Sequence, residues 1–179
     1  MKTLITSIAI FAAAVTAQAQ SFELKTNPIG AAFGAYNLSV EVPLPSNPTV
    51  TLNASAWRYS ADLKDFFYLD LNGGASIGIR KYVASNSGED KGLYLGAASR
   101  YISRSSYVGT RNTDGSGWTY QMKDTDYASA GFTLGYKVVF ERLTIDAFAG
   151  IGRKLYKQEI PNWDWHVDVM SGLNFGYRF

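Results

Sequence analysis

The sequence predicts an all-β protein, an eight-stranded antiparallel up-and-down transmembrane β-barrel. About eight segments of the chain alternate apolar and polar side chains with a period of two. The connections between them differ in length, and short turns at one end with long loops at the other are typical of such barrels. The last segment carries an apolar row that ends on an aromatic residue, Phe179. An even number of strands is what closure of an antiparallel barrel requires.

The N-terminus has the pattern of a cleavable export signal. Lys2 gives a short positive head, Leu4–Val15 is an apolar core, and Ala17–Ala19 is a small-residue cleavage site. The apolar core is shorter than the about 20 residues that a spanning helix needs. We therefore expect a signal peptide over residues 1–19, cleaved after residue 19 or 20, and a barrel domain over residues 20–179.

Composition narrows the partners and cofactors that the chain is expected to have. Seventeen basic and fifteen acidic residues nearly balance, so no strong positive field points to nucleic acid. The absence of Cys excludes a disulfide framework and a lipid-modified Cys. With one His and no Cys, a metal site is not expected, and no Gly-rich phosphate loop is present. We predict no cofactor and no nucleic-acid partner.

Each alternating segment has one face that tolerates lipid. The segments are Phe22–Ala32, Tyr36–Leu44, Thr49–Arg58, Asn72–Val83, Gly92–Arg104, Tyr127–Phe140, Leu143–Tyr156 and Trp165–Phe179. In the seventh, Leu143 and Ile145 alternate with Thr144 and Asp146. The connections Pro43–Pro48, Ala84–Lys91 and Glu141–Arg142 are short or moderate, whereas Tyr59–Leu71, Ser105–Asp126 and Lys157–Asp164 are longer. Only the first connection, Phe33–Ala35, is too short for this scheme.

If the apolar rows face lipid, the opposite rows place charged side chains inside the barrel. These are Glu23, Lys25, Glu41, Arg80, Arg100, Lys137, Asp146, Lys154, Asp168 and Arg178. An eight-stranded barrel is only wide enough for side chains to fill it, and buried charges need partners. The pattern favours a packed ionic interior that makes the barrel rigid. A small gated pore is the alternative, and it requires these pairs to separate or to exchange partners.

Aromatic residues in the longer connections are candidates for surface contacts. The Asp114-Gly115 turn lies between alternating aromatics and predicts that strands five and six continue beyond the membrane as a ribbon. The edge of such a ribbon suits the addition of a strand from a partner. The expected loop contacts are Tyr107, Trp118, Tyr120, Phe66, Phe67 and Trp163. Such aromatics also suit the upper aromatic girdle at the lipid headgroups.

Two other classes of protein fit the pattern less well. An enzyme that modifies lipid A needs a His paired with a Ser nucleophile. The one His, His166, shares a strand face with Asp168, while Ser171 lies on the opposite face. We therefore predict that the protein is not an enzyme. A soluble lipocalin-like barrel would turn its apolar rows inward around a ligand, which suits neither the inward charges nor the aromatic last strand.

The two ends of the chain resemble known exported barrels. The leader and the last strand, ending on Phe179, resemble those of Gram-negative outer-membrane β-barrels, whose terminal Phe is read by the barrel-assembly machinery. Lys25–Gly30, Gly34 and Asn37–Glu41 resemble the opening of a family of small barrel proteins of unknown function from Bacteroidetes-type bacteria. The whole mature chain is similar in pattern to the OmpX and OmpA class of barrels.

The resemblance implies an outer-membrane location in a Gram-negative bacterium. The partners it implies are outer-membrane lipid and lipopolysaccharide, the barrel-assembly machinery, and an unknown surface ligand or protein. It further implies a monomer without a cofactor, in which Phe179 is the assembly signal. The expected role is structural or one of surface interaction.

Overall fold

The computed structural model describes residues 21–60, 71–83, 89–112, 117–157 and 166–179. These residues form β1 (Glu23–Thr26), α1 (Pro28–Ala32), β2 (Ala35–Leu44), β3 (Asn47–Tyr59), β4 (Leu71–Tyr82), β5 (Gly92–Arg111), β6 (Trp118–Asp124), β7 (Tyr127–Phe140), β8 (Leu143–Lys157) and β9 (Val167–Arg178). The predicted signal peptide and its cleavage site lie outside the described residues. Within those ranges no helix has the length and apolarity to cross a membrane.

Every strand except β6 takes part in one closed antiparallel barrel of eight strands, so the predicted fold class is confirmed. Neighbouring strands pair in chain order, β4 pairs with β5, and β1 closes the barrel by pairing with β9. Near the closure the backbone N–H of Phe179 donates to the Phe22 carbonyl at 2.9 Å, and their rings stack at 4.8 Å between centroids. The barrel thus has a turn end, with Phe22, Phe179 and the short turns, and a loop end.

The side chains alternate between the two faces of the barrel wall as the sequence predicts. Along β7, Phe132, Leu134 and Tyr136 point outward and are exposed, whereas Thr133 and Lys137 point inward and are buried. This follows from the pleat, which sends successive side chains to opposite faces. The outer surface is therefore apolar and the interior polar.

At the loop end, β5 continues past the barrel as a two-stranded ribbon. Its first half pairs with β7 from Gly92↔Lys137 to Ile102↔Tyr127, and its second half pairs with β6 from Ser105↔Asp124 to Arg111↔Trp118. Both pairings keep the same register, so β6 continues β7 beyond a two-residue interruption. The pairing of the predicted ribbon is confirmed, whereas the predicted Asp114-Gly115 turn lies outside the described residues.

The first predicted strand, Phe22–Ala32, is wrong beyond Thr26, where α1 replaces it. The Asn27 side chain caps this helix by accepting a hydrogen bond from the Gly30 backbone N–H at 2.8 Å. Pro28 occupies the start of the helix, where its missing N–H is not needed, and it cannot continue a strand ladder. As a result β1 spans only the turn-end part of the space between β2 and β9.

Candidate functional site

Eight charged side chains fill the barrel interior at the turn end. This cluster, called the plug below, holds four cations and four anions: Lys25, Arg80, Lys137, Arg178, Glu23, Glu41, Asp90 and Asp146. Seven of them are buried, and the Arg178 side chain is 21% exposed. The formal charge of the plug is zero, which is the condition for keeping so many ionised groups out of water.

Glu41 is the most connected anion of the plug. Its Oε2 accepts hydrogen bonds from Lys25 Nζ at 2.5 Å and from Arg80 Nη1 at 2.7 Å. Its Oε1 accepts from Lys137 Nζ at 3.0 Å and from the Tyr82 hydroxyl at 2.7 Å. One carboxylate therefore balances part of the positive charge of three side chains, which come from β1, β4 and β7.

Asp146 forms the side of the plug that faces the loop end. Its Oδ2 accepts from Lys25 Nζ at 2.9 Å and from Arg80 Nη1 at 2.6 Å, and its Oδ1 accepts from the Tyr94 hydroxyl at 2.7 Å. The Arg80 guanidinium also lies 4.6 Å from the centroid of the Tyr94 ring, a cation–π contact. Gly135 makes room for this ring, since a Cβ there would lie 2.4 Å from it.

Lys137 joins the barrel wall to the connection between β4 and β5. Its Nζ lies 3.0 Å from Glu23, 3.0 Å from Glu41 and 2.8 Å from Asp90. Oxygens of these three carboxylates lie within 4.8 Å of one another, so the ammonium takes the position that a bound cation would occupy. Burial raises the pKa of the Asp90 carboxyl, although Lys137 and Arg178 oppose the rise.

A second ion pair lies toward the loop end. The Arg100 guanidinium binds the Asp168 carboxylate through two nitrogens, and the Nε to Oδ2 distance is 2.5 Å. Asp168 also accepts from the Ser129 hydroxyl at 2.5 Å and from the Tyr127 hydroxyl at 3.1 Å. Lys154 Nζ lies 4.6 Å from the centroid of the Tyr127 ring. The ten predicted interior charges thus divide between the plug and this smaller cluster.

Between the plug and the Arg100–Asp168 pair lies a cavity of about 390 Å³. Small neutral polar side chains dominate its lining, among them Asn37, Ser39, Asn53, Ser55, Ser76 and Asn174, together with the aromatic Trp57, Tyr59, Tyr127 and Phe148. Among the described residues, its charged lining consists of Arg80 and Arg100. The loop-end half of the interior therefore contains a cavity, whereas side chains fill the turn-end half.

The predicted loop contacts are not gathered with the interior charges. Trp118 and Tyr120 lie on one face of β6 and are 60% and 65% exposed. Tyr107 lies in β5 opposite Met122, but its side chain is outside the described part of the chain. Phe66, Phe67 and Trp163 also fall outside it. His166 and Ser171 are exposed whereas Asp168 is buried against Arg100, so these three do not converge.

Three interior residues were missed by the sequence analysis. Tyr82 and Tyr94 lie on the inward rows of β4 and β5 and donate to plug carboxylates. Tyr82 lies two residues after Arg80, and Tyr94 lies six residues before Arg100. Each tyrosine therefore shares an inward row with a predicted interior charge, and this was the available signal. Asp90 follows Glu89 in a connection, where an acidic pair normally stays in water, and no period-two pattern reaches it.

Comparison with known proteins supports the fold and the family. The structure is similar to the crystal structure of the N-terminal β-barrel domain of Pseudomonas aeruginosa OprF, with a TM-score of 0.52 and 17% identity over 90% of this chain and 98% of that chain. At this identity the likeness shows the barrel fold. No protein of curated function matches. A family model described as "Protein of unknown function (DUF3575)" matches residues 5–163, and the chain therefore belongs to that family.

Proposed function

We propose that the protein is a non-enzymatic integral outer-membrane barrel, with an ion-paired interior that keeps it rigid and an outer ribbon and loops that contact a ligand or protein at the cell surface. One observation carries this proposal. The barrel is apolar outside and charged inside, which is the reverse of a soluble barrel. The turn end then faces the periplasm and the loop end faces outward, as in bacterial outer-membrane barrels.

The outward rows support insertion into lipid. Phe132 is 75% exposed and Val169 is 72% exposed, and both lie in a continuous apolar band around the wall. Soluble proteins rarely expose apolar patches of this extent. In a bilayer the same band contacts the hydrocarbon chains of the lipid. The hydrogen bonds between paired strands satisfy the backbone N–H and C=O groups of most of the wall.

The plug supports a rigid barrel. Each of its cations contacts at least two carboxylates, and the contacts connect strands on opposite sides of the barrel, such as β2 and β7 through Glu41 and Lys137. Separating one pair therefore disturbs several others. Such a network resists deformation of the wall and blocks passage along the barrel axis.

The ribbon supports a surface contact. All residues of β6 are exposed, and Trp118, Tyr120 and Met122 form one face of it. Within the described residues, β6 pairs only with β5, so its other edge offers backbone groups to an added strand.

A small gated pore is the second candidate, and the cavity above the plug favours it. A conducting path needs Lys137 and Arg80 to leave Glu41 for other carboxylates. Conductance of single channels in planar bilayers tests this for the native protein and for Glu41→Gln. A pore predicts rare openings in the native protein and more frequent openings in the variant, whereas a rigid plug predicts none in the native protein.

Heat-modifiability on a gel tests the main proposal. Protein extracted from outer-membrane fractions is compared with and without boiling. An inserted barrel stays folded in detergent until it is boiled, so we expect a mobility shift in that fraction. A soluble periplasmic protein without a shift would contradict the proposal and make an inward apolar, lipocalin-like arrangement the better account.

A further inference from the structure

We infer that the barrel wall has a lateral opening at its loop end, between β2 and β9, through which an anionic single-chain amphiphile places its head group in the cavity. The inference rests on the proposed insertion into the outer membrane. The opening, called the portal below, follows from the point at which β1 ends.

The β9 side of the portal is an unpaired strand edge. β9 pairs with β8 from Val167 to Tyr177, but with β1 only from Phe175 to Arg178. Phe179 donates its N–H toward β1, and alternate residues of a strand direct their backbone groups to the same side. Val169, Ser171 and Leu173 therefore present N–H and C=O groups to a space in which no described residue pairs with them as a strand.

The β2 side of the portal is formed where β1 gives way to α1. β1 pairs with β2 only between Ser39 and Glu41, and α1 then packs against β2. A side-chain bond joins the two edges where the portal begins, because Asn37 Nδ2 donates to Asn174 Oδ1 at 2.7 Å. Beyond this bond the wall consists of two edges without a strand between them in the described ranges.

The cavity passes through the wall at this place. Its lining includes inward residues of the two edge strands, Asn37 and Asn174, and also the outward residues Tyr36, Val169 and Leu173. In the described lining, the closed wall contributes one outward residue, Ala97, whereas four outward residues flank the gap between β2 and β9: Tyr36, Val169, Ser171 and Leu173. This concentration of outward residues is the reason for placing the opening of the cavity between β2 and β9.

A strand edge facing hydrocarbon needs polar partners. Each unsatisfied backbone group in lipid costs several kcal/mol, and one contact shows how this edge is stabilised. Arg100 Nη2 reaches across the barrel and donates to the Val169 carbonyl at 2.6 Å. A polar head group lying in the portal supplies the same kind of partner to the rest of the edge.

The lining points to an anionic head group. A guanidinium carries five N–H donors. Within the described ranges, the hydrogen bonds of Arg80 leave from Nη1 and those of Arg100 leave from Nε and Nη2, so each side chain has a further nitrogen to offer an anion. Both side chains line the cavity, whereas their carboxylate partners do not. The exposed Tyr36 and Leu173 at the portal suit a hydrocarbon chain. A cavity of about 390 Å³ is within the size range of small-ligand sites, and it suits one chain rather than two.

Fluorescence quenching tests ligand entry. Trp57 lines the cavity, so a variant with Trp118→Phe, Trp163→Phe and Trp165→Phe leaves it as the reporter. The variant is reconstituted in nanodiscs and titrated with 2-bromohexadecanoate, in which bromine lies beside the carboxylate. We expect a saturable loss of Trp57 fluorescence, and a much smaller loss with 2-bromohexadecan-1-ol. Equal quenching by the alcohol would overturn the anionic head group.

A cross-link across the portal tests the route. The chain has no Cys, so Asn37→Cys with Asn174→Cys in the same variant gives two thiols, which a short bis-methanethiosulfonate reagent joins across the portal. The cross-link is expected to abolish quenching, whereas the same pair capped separately with methyl methanethiosulfonate, which leaves no thiol for the bromo acid to alkylate, is expected to retain it. The matched control is Ser55→Cys with Ser76→Cys, treated in the same two ways, which lies on β3 and β4 in the closed wall of the same cavity, where the two hydroxyl oxygens lie 2.7 Å apart. Quenching that survives cross-linking of the first pair would overturn the portal.

The mobility shift on heating separates the two proposals. It is recorded for each reconstituted protein before titration. A shift without quenching by 2-bromohexadecanoate would overturn the inference and leave the proposed function standing. The absence of a shift in the native protein would overturn both.

Discussion

The two halves of the barrel interior are built on the same strands and are filled in opposite ways. At the turn end, eight charged residues and the hydroxyls of Tyr82 and Tyr94 form the plug. At the loop end, the inward positions carry mainly Ser, Asn and small residues around a cavity. The alternation along a strand decides which side chains point inward, whereas their length and charge decide whether that level of the barrel is filled.

A single strand shows this contrast. On β3, the successive inward positions are Thr51, Asn53 and Ser55. Thr51 is fully buried at the level of Arg80, which is opposite it in the register, whereas Ser55 lines the cavity. The side chains that surround each level of the barrel therefore separate the two environments, since Thr51 and Ser55 are themselves alike in size.

Removal of the central charge of the plug is expected to have the largest effect. Glu41→Gln leaves Lys25, Arg80 and Lys137 buried with one anion fewer, and breaking a buried pair in this way costs about 3–5 kcal/mol. Urea unfolding in lipid vesicles measures the free energy. The isosteric control Glu141→Gln lies in the exposed β7–β8 turn and is expected to change little. Similar losses in the two variants would show that the plug does not stabilise the barrel.

The loop-end ion pair is expected to matter less than the plug. Arg100→Gln removes charged hydrogen bonds, whose loss costs about 1.5–3 kcal/mol. Asp168 keeps the hydroxyl donors of Ser129 and Tyr127, so its charge stays partly satisfied. The same unfolding assay should place this variant between the native protein and Glu41→Gln. A loss larger than that of Glu41→Gln would reverse the comparison.

Glycine substitutions sharpen the contrast in packing. Gly135→Ala puts a methyl group 2.4 Å from the Tyr94 ring, which Asp146 and Arg80 hold in place, so we expect a loss of about 1–3 kcal/mol. Gly172→Ala meets the Phe148 ring at 2.5 Å, but that ring lines the cavity and has room to turn. Its expected loss is smaller. Equal losses in a thermal unfolding series would mean that the loop end is packed as tightly as the turn end.

The ribbon is expected to contribute least to stability. Trp118→Ser combined with Tyr120→Ser removes two exposed rings, and surface changes of this kind usually stay within about 0.5 kcal/mol. The mobility shift on heating should therefore be unchanged, while adhesion of whole cells to a surface ligand should fall if the ribbon binds it. A destabilised barrel would indicate that these rings pack against the wall.

The sequence predicted the wall of the barrel better than its interior. Period-two alternation is a local property, so it placed the inward and outward rows of β7 and β8 from neighbouring residues alone. The partners of the plug are far apart in sequence, since Lys25 and Asp146 are separated by 121 positions. No local pattern specifies such a pair, and the inclusion of Asp90 depends on how a connection folds.

The missed end of β1 had a local signal. Asn27 followed by Pro28 is the pattern of a helix N-cap and first helical residue, and the prediction of one strand over Phe22–Ala32 did not use it. The consequence was larger than one boundary, because the space that β1 leaves is the portal.

Labelling of two single cysteines tests the contrast between the plug and the cavity most directly. Thr51→Cys and Ser55→Cys are each treated, in whole cells, with a small membrane-impermeant thiol reagent. Among the described residues the Thr51 hydroxyl has no hydrogen-bond partner, so its replacement removes no hydrogen bond. The account predicts that Cys at position 55 reacts and Cys at position 51 does not. Reaction at both positions would mean an open pore, and protection of both would mean that the loop-end cavity is filled.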